Sequence, residues 1–398
     1  MRRKLTAVIG LSALAGSLVA CGGADSSEGT SNNPIVIGYD GDLSGPFSIG
    51  GQGAHKGIEA YVNATNAAGG IAGRKLQLVT LDDGGDVNRA LGNIQQLLTQ
   101  KKADVLIGIS ISSICEAATD MVAKAKVPLD CVGAAPSQVA PPNASPWVFM
   151  ATSGQDYQVA PVLQLIEKTV TADKPKVAYI HFDSAAHHGF GRTVTAALQR
   201  RSWPLVAREV VPLTASPDIR AQASKLVAAK PDVVVSLMTD KNSALLQQNL
   251  RAQGFTGPII QNPDTGPEIM NITKDENLYV LTHAYLDNTA SDRLGGDANW
   301  KSMADAFAAA KLDLSTSYAT RGYLNALVVG TALADCDGCS GEELRAAIEK
   351  AVVPSDGITP GDLKFSADDH QGAQAVPAYH WKDGGPALVE PSLKTGVN

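Results

Sequence analysis

The chain has 398 residues, of which 44% are hydrophobic, 18% charged and 5% aromatic. That composition belongs to globular proteins of two or three domains and excludes collagen-like, coiled-coil and largely disordered chains. A net charge of −7 offers no basic surface, so nucleic acid is excluded as a partner.

The first element is a segment to be discarded. Arg2, Arg3 and Lys4 precede an apolar run from Leu5 to Ala20, the pattern of a secretory signal over residues 1–20. It ends in Leu18-Val19-Ala20-Cys21, which resembles the lipobox of bacterial lipoproteins. That resemblance implies cleavage before Cys21 and a diacylglycerol on its sulfur. The expected protein is exported and lipid-anchored to the outer face of the cytoplasmic membrane. Residues 21–33, rich in Gly, Ser and Asn, read as a flexible tether.

From Pro34 onward, short β-branched runs alternate with longer helical stretches. Strands are predicted at Ile35–Gly38, Leu76–Leu81, Val105–Ile109 and Val127–Val132, with helices at Ala54–Ala68, Val87–Thr99 and Glu116–Lys124. A second series places strands at Val177–His181, Val206–Val211, Val233–Leu237 and Pro258–Gln261. Its helices are predicted at Val159–Val170, Arg192–Arg201, Ile219–Ala229 and Ala244–Gln253. Such alternation predicts an α/β fold of two doubly wound parallel sheets with helices on both faces.

The third section predicts a strand from Leu278, helices at Trp300–Ala310, Tyr318–Ala334 and Glu342–Val352, and short strands near Leu363–Phe365 and Val376–Trp381. These are too few for a domain of their own, and are expected to complete the first sheet and then the second. Lobe 1 is then 34–152 plus 283–371, and lobe 2 is 153–282 plus 372–398. Three crossings make a hinge, with a ligand cleft at the carboxyl ends of the strands.

Export makes a disulfide reading of the cysteines appropriate. With Cys21 assigned to lipid, Cys115, Cys131, Cys336 and Cys339 remain. Cys336 and Cys339 suit a local bridge; Cys115 and Cys131 flank one predicted helix and suit a strand–helix–strand bridge. A redox or metal role for the CxxC lacks a thioredoxin-like pattern or a second CxxC.

Asp42-Leu43-Ser44-Gly45-Pro46 with Gly51, Gly53 and Gly57 forms a loop-to-helix pattern, followed by Asn66-Ala67-Ala68-Gly69-Gly70-Ile71-Ala72-Gly73-Arg74-Lys75-Leu76 and Asp82-Asp83. Ile107-Gly108, Ser112-Ser113, Gly133-Ala134-Ala135 and a Gly189-Phe190-Gly191 turn continue the order. The succession over Pro34–Trp381 resembles the Leu/Ile/Val-binding family of type I periplasmic binding proteins, the substrate-binding components of ABC transporters. The resemblance implies a monomeric receptor that closes on a small polar ligand, an amino acid or a related amide or carboxylate, and delivers it to ABC permease subunits.

It also implies site residues. The ligand carboxylate falls to Ser112, Ser113, Ala134, Ala135 and Ser137, the last because Pro136 lacks an N–H where many members have Thr or Ser. Small residues and a helix N-terminus suit an anion there; Ser112 also suits a helix N-cap. Asp264 falls where the family meets an ammonium. His188 and Asp240 are further second-lobe candidates, and Phe47 and Tyr157 candidate walls. His187-His188 replaces a frequent tyrosine, and Thr239 or Asp240 an aromatic, so the expected pocket is more hydrogen-bonding than leucine requires.

No cofactor, metal or catalytic activity is expected. His187-His188 with Asp183 lacks a third ligand at metal spacing. Asp82-Asp83-Gly84-Gly85-Asp86 lacks EF-hand spacing, and Asp86 reads as a helix cap. GxSxG, HExxH and P-loop motifs are absent. The competing classes are a sensor of the same fold, and an exported enzyme or metal-binding lipoprotein.

Overall fold

A computed structural model describes residues 33–134, 136–142, 144–212, 218–264, 266–287, 297–314 and 316–397, without the side chains of 136, 137 and 240. The signal, Cys21, the tether up to residue 32, and Ala135 lie outside the described residues.

Strands β1 (Ile35–Gly41), β2 (Leu76–Asp82), β3 (Val105–Gly108), β4 (Leu129–Cys131) and β5 (Val148–Phe149) form a parallel five-stranded sheet in the order β2-β1-β3-β4-β5. Its central strands read as continuous apolar runs because helices cover both faces. The helices between them are α1 (Ser48–Ala67), α2 (Val87–Thr99), α3 (Ser112–Ala125) and the short α4 (Pro136–Val139). Helix α2 shows the local logic: Asp86 caps it by accepting the Arg89 N–H, and Ala90, Ile94 and Leu97 bury one face.

The second sheet has seven strands: β6 (Val177–Phe182), β7 (Leu205–Val211), β8 (Val233–Leu237), β9 (Ile259–Gln261), β10 (Leu278–Leu281), β13 (Ala375–Lys382) and β14 (Gly385–Lys394). Their order is β14-β13-β10-β9-β8-β6-β7, with the β10–β13 and β13–β14 pairs antiparallel. Helices α5 (Val159–Thr169), α6 (Ala185–Arg201), α7 (Arg220–Ala228), α8 (Asp240–Ala252) and α9 (Glu268–Thr273) accompany it.

The third section departs from expectation. Its helices α10 (Ala298–Ala310), α11 (Ser317–Asp335) and α12 (Gly341–Lys350) join the core of the first sheet, where Phe307, Tyr323, Leu333 and Ile348 pack with Ile35, Tyr39 and Ile58. Among the described residues, no strand of this section enters that sheet; β11 (Val352–Val353) and β12 (Leu363–Lys364) pair separately. Strand β14 was not anticipated, although Asp383-Gly384, both at positive φ, makes the two-residue hairpin that supplies it.

Helices α1, α3, α6 and α8 begin four or more residues earlier than periodicity indicates, because glycine, small and polar residues in their first turns weaken the apolar signal. Gly51 and Gly53, which precede the predicted helix, lie inside α1; along its contact with α11 a Cβ on Gly57 would stand 1.9 Å from the Ala319 carbonyl oxygen, and one on Gly322 2.1 Å from that of Ala54. Gly189-Phe190-Gly191 is likewise helical, within α6, rather than a turn. Helix α3 begins at Ser112, with Ile111 as the N-cap residue, so Ser112 is not the cap. Both disulfides form as the sequence indicates, Cys115–Cys131 and Cys336–Cys339. Among the described residues, no helix is long and apolar enough to cross a membrane.

Candidate functional site

The carboxyl ends of strands from both sheets converge on one cavity. Ser110, Ile111 and Ser112 follow β3, Gly133 follows β4, Phe182 and Ser184 end β6, Thr239 follows β8, and Asp264 follows β9. Phe47, Gly50, Gln155, Ala186, His187, Tyr318 and Arg321 complete the lining. The cavity has about 80 Å³ of interior space and opens to solvent.

Five helices present their N-terminal ends here: α1, α3, α6, α8 and α11. Their dipoles make the site favourable to negative charge. The starts of α3, α8 and α11 have no side-chain cap. The start of α1 is already served by Asp42, which accepts the N–H groups of Gly45 and Phe47. Ile109 turns the chain from β3 into α3 at φ 55°, a strained conformation for a β-branched residue that aims Ser110–Ser112 at the cavity.

Arg321 is the centre of the polar network. It is 3% exposed, on a helix packed into the first sheet's core, and donates to the Val132 carbonyl. Its Nη1 pairs with Asp264 Oδ1 at 2.9 Å. Asp264, 3% exposed, also accepts from Gln155 Nε2 at 2.6 Å and Asn262 Nδ2 at 3.0 Å, and contacts His283 Nε2 at 3.4 Å. Burial raises its carboxyl, but the Arg321 guanidinium, the His283 bond and His187 prevail, holding it well below the carboxylate range. Burial pushes His187 and His283 down to about 4, against the pull of Asp264, so Arg321 is the cation of the cluster at neutral pH.

Four lining residues carry buried polar atoms without a hydrogen-bond partner: Ser110 Oγ, Gln155 Oε1, His187 Nε2 and Arg321 Nε. Buried polar groups are ordinarily satisfied, so such a concentration in one cavity points to a ligand.

Of the residues the sequence singled out, Phe47, Ser112 and Asp264 line this cavity. Ala134 is buried beside Gly133 but does not line it, and Ser113 is exposed. Tyr157 turns away, its hydroxyl 3.2 Å from Asp369 Oδ2. His188 faces outward, with Nε2 at 2.6 Å from Asp183 and Nδ1 at 3.3 Å from Arg208. Its neighbour His187 is the one that enters, because the two sit on the first turn of a helix, about 100° apart around the axis. Ala135 and the side chains of Ser137 and Asp240 lie outside the described residues. Arg321, Tyr318, Gln155, Phe182 and His187 were missed. For Arg321 a signal existed: a cation within the otherwise apolar Tyr318–Ala334 requires a buried partner.

Asp42, Asp82 and Asp83 bring carboxylate oxygens within 4.8 Å of one another. Asp42 and Asp83 accept backbone N–H groups of their own loops, from Gly45 and Phe47 and from Gly85, while Asp82 accepts from Gly84 and, across to the other loop, from Leu43. The cluster thereby shapes the loop that carries Phe47.

A family model described as periplasmic binding protein matches residues 34–386. A Leu/Ile/Val-binding protein homolog from Brucella abortus is 22% identical over 363 residues, covering 88% of this chain and 89% of its own. The crystal structure of an extracellular ligand-binding receptor from Rhodopseudomonas palustris is similar with a TM-score of 0.73 at 26% identity, over 89% of this chain and 99% of that one. A solute-binding protein of an ABC transporter from R. palustris, in complex with benzoate, shares the fold with a TM-score of 0.74 at 19% identity, over 92% and 98% of the two chains.

Proposed function

Because the chain belongs to the periplasmic binding protein family, we propose that it is the receptor of an ABC importer that captures a small polar ligand and hands it to a permease. The observation that carries this reading is the cavity between the two sheets, with four partnerless polar groups and uncapped helix starts on its walls. The proposed lobes are 34–152 plus 283–371 and 153–282 plus 372–398.

Their three connections draw together near Asp264. Gln155 and His283 both bond it, and the Gly154 N–H donates to Gln371 Oε1 at 2.6 Å. Closure about these connections brings α11 of the first lobe against Asp264 of the second, and a ligand drives closure by as much as it prefers the closed state. The Cys21 lipid holds the monomeric receptor at the outer face of the membrane, through the tether, beside its permease. A Cys21→Ser chain is expected to leave the membrane fraction; retention there overturns the anchor.

The test of capture is thermal unfolding against a panel of amino acids, amides and carboxylates. A true ligand raises the midpoint progressively with its concentration, adding about 2.7 kcal/mol of stability at a hundredfold excess over Kd. Absence of a concentration-dependent shift with every class overturns the receptor reading.

A further inference from the structure

Resting on that receptor reading, we infer that the cavity takes a small carboxylate with a flat apolar body and no α-ammonium group. An amino acid offers two opposite charges, and each needs its complement on the walls. The complement for the carboxylate is present in excess: the helix starts, with Ser112 on the first turn of α3, and two buried donors. His187 is 9% exposed, and its Ser184 neighbour accepts the His187 N–H while lying 2.5 Å from Nδ1. With the Ser184 hydroxyl as donor to Nδ1, the ring proton sits on Nε2, the partnerless atom of this lining residue. Arg321 adds its unpartnered Nε–H.

The complement for an ammonium is committed elsewhere. Among the described side chains, Asp264 is the carboxylate that lines the cavity, and Arg321, Gln155, Asn262 and His283 already surround it. Asp42, behind Phe47, is spent on two backbone N–H groups. An ammonium entering here meets helix starts and a guanidinium of its own sign, and the partnerless acceptors Gln155 Oε1 and Ser110 Oγ offer it neutral oxygens in place of a carboxylate. The apolar part of the lining is aromatic: Phe182 is buried, while Phe47 and Tyr318 are half-buried. Flat faces of this kind suit a ring or a short branched chain.

The experiment is calorimetric titration of the purified full-length chain with matched pairs that differ by the amino group: 3-phenylpropionate against L-phenylalanine, and 4-methylpentanoate against L-leucine, with benzoate as a short aromatic acid. At least one deaminated acid is expected to bind about tenfold or more tightly than its amino-acid partner. Equal or tighter binding of the amino acids overturns this class assignment and leaves the receptor reading intact. Asp240→Asn then locates the ammonium site if it abolishes that binding. Silence with every compound, together with no concentration-dependent thermal shift from any class, overturns both.

Two variants sharpen the assignment. His187→Leu is expected to weaken the acid by about tenfold, with an unchanged Kd removing His187 from the site. Arg321→Met uncovers Asp264 and is expected to move the acid-to-amino-acid preference toward the amino acid by about tenfold or more. An unmoved preference in a folded Arg321→Met protein overturns the role given to the ion pair; should that chain fail to fold, the wild-type pairs and His187→Leu still decide.

Discussion

Two buried acids, one in each half of the molecule, are held in opposite states. In the first-sheet half, Asp130 is fully buried with Asn325 and the Ala151 N–H as its donors, and burial pushes its carboxyl up to about 8. In the second, Asp264 is just as buried, yet Arg321 keeps it ionised. The difference is one cation. A carboxylate among neutral donors takes a proton, whereas one beside a guanidinium becomes a permanent charge that clasps the halves together. Both disulfides also lie with the first sheet, so that half is the stapled one; it brings Phe47, Ser112, Tyr318 and Arg321 to the cavity, and the second half brings Phe182, Ser184, His187 and Asp264.

Breaking the clasp gives the largest expected effect. Asp264→Ala leaves Arg321 buried and unpaired, at a cost of about 3–5 kcal/mol in denaturant unfolding. A loss under about 1 kcal/mol contradicts a clasp of this kind. Because the folded carboxyl lies below its unfolded value, the stability it contributes is present above about pH 4 and is lost as pH falls further.

The stapling is tested next. Cys115–Cys131 closes a separation of 16 residues, and joins the helix that begins at Ser112 to the strand that leads to Gly133. Replacing both cysteines by Ser should cost about 3 kcal/mol and weaken ligand binding, whereas the same change at Cys336 and Cys339 should cost about 1.5 kcal/mol and leave Kd unchanged. Equal effects on affinity refute a positioning role for the first bridge.

Asp130 has the opposite sign from Asp264. Its folded value exceeds the unfolded one, so stability falls as pH rises from about 4 to about 8 while the unfolded chain alone has released the proton. Asp40, also pushed up to about 8 by burial and its acidic neighbours, contributes in the same direction. Asp130→Asn should therefore flatten this part of the pH–midpoint curve and raise the midpoint by a few degrees near pH 8. An unchanged slope would show that Asp130 is ionised in the fold. The smallest effect is expected from His188→Ala, where an exposed contact to Asp183 is worth under about 0.5 kcal/mol; ligand affinity should not change.

Much of the fold was legible because parallel sheets write themselves as apolar runs spaced by helices, and helix α2 carried both its cap and its stripe. The beginnings of α1, α3 and α6 were not, since glycine, serine and histidine there answer to a neighbouring helix or a cavity. In the site, Ser112, Phe47 and Asp264 were legible through the family resemblance. His187 was passed over for His188 because their loop was read without its helical phase, and only that phase separates an inward ring from an outward one.

By itself the sequence determined the class of the protein, the two sheets, the two cysteine pairs and the ends of strands where a ligand would lie, because these follow from local pattern and short-range spacing. Tertiary structure alone decided what those strand ends meet. Arg321 lies 57 residues beyond Asp264 on a different half, and its proximity turns the residue expected to receive an ammonium into half of an internal ion pair. Electrostatic partnership depends on distance in space, and no one-dimensional pattern records it.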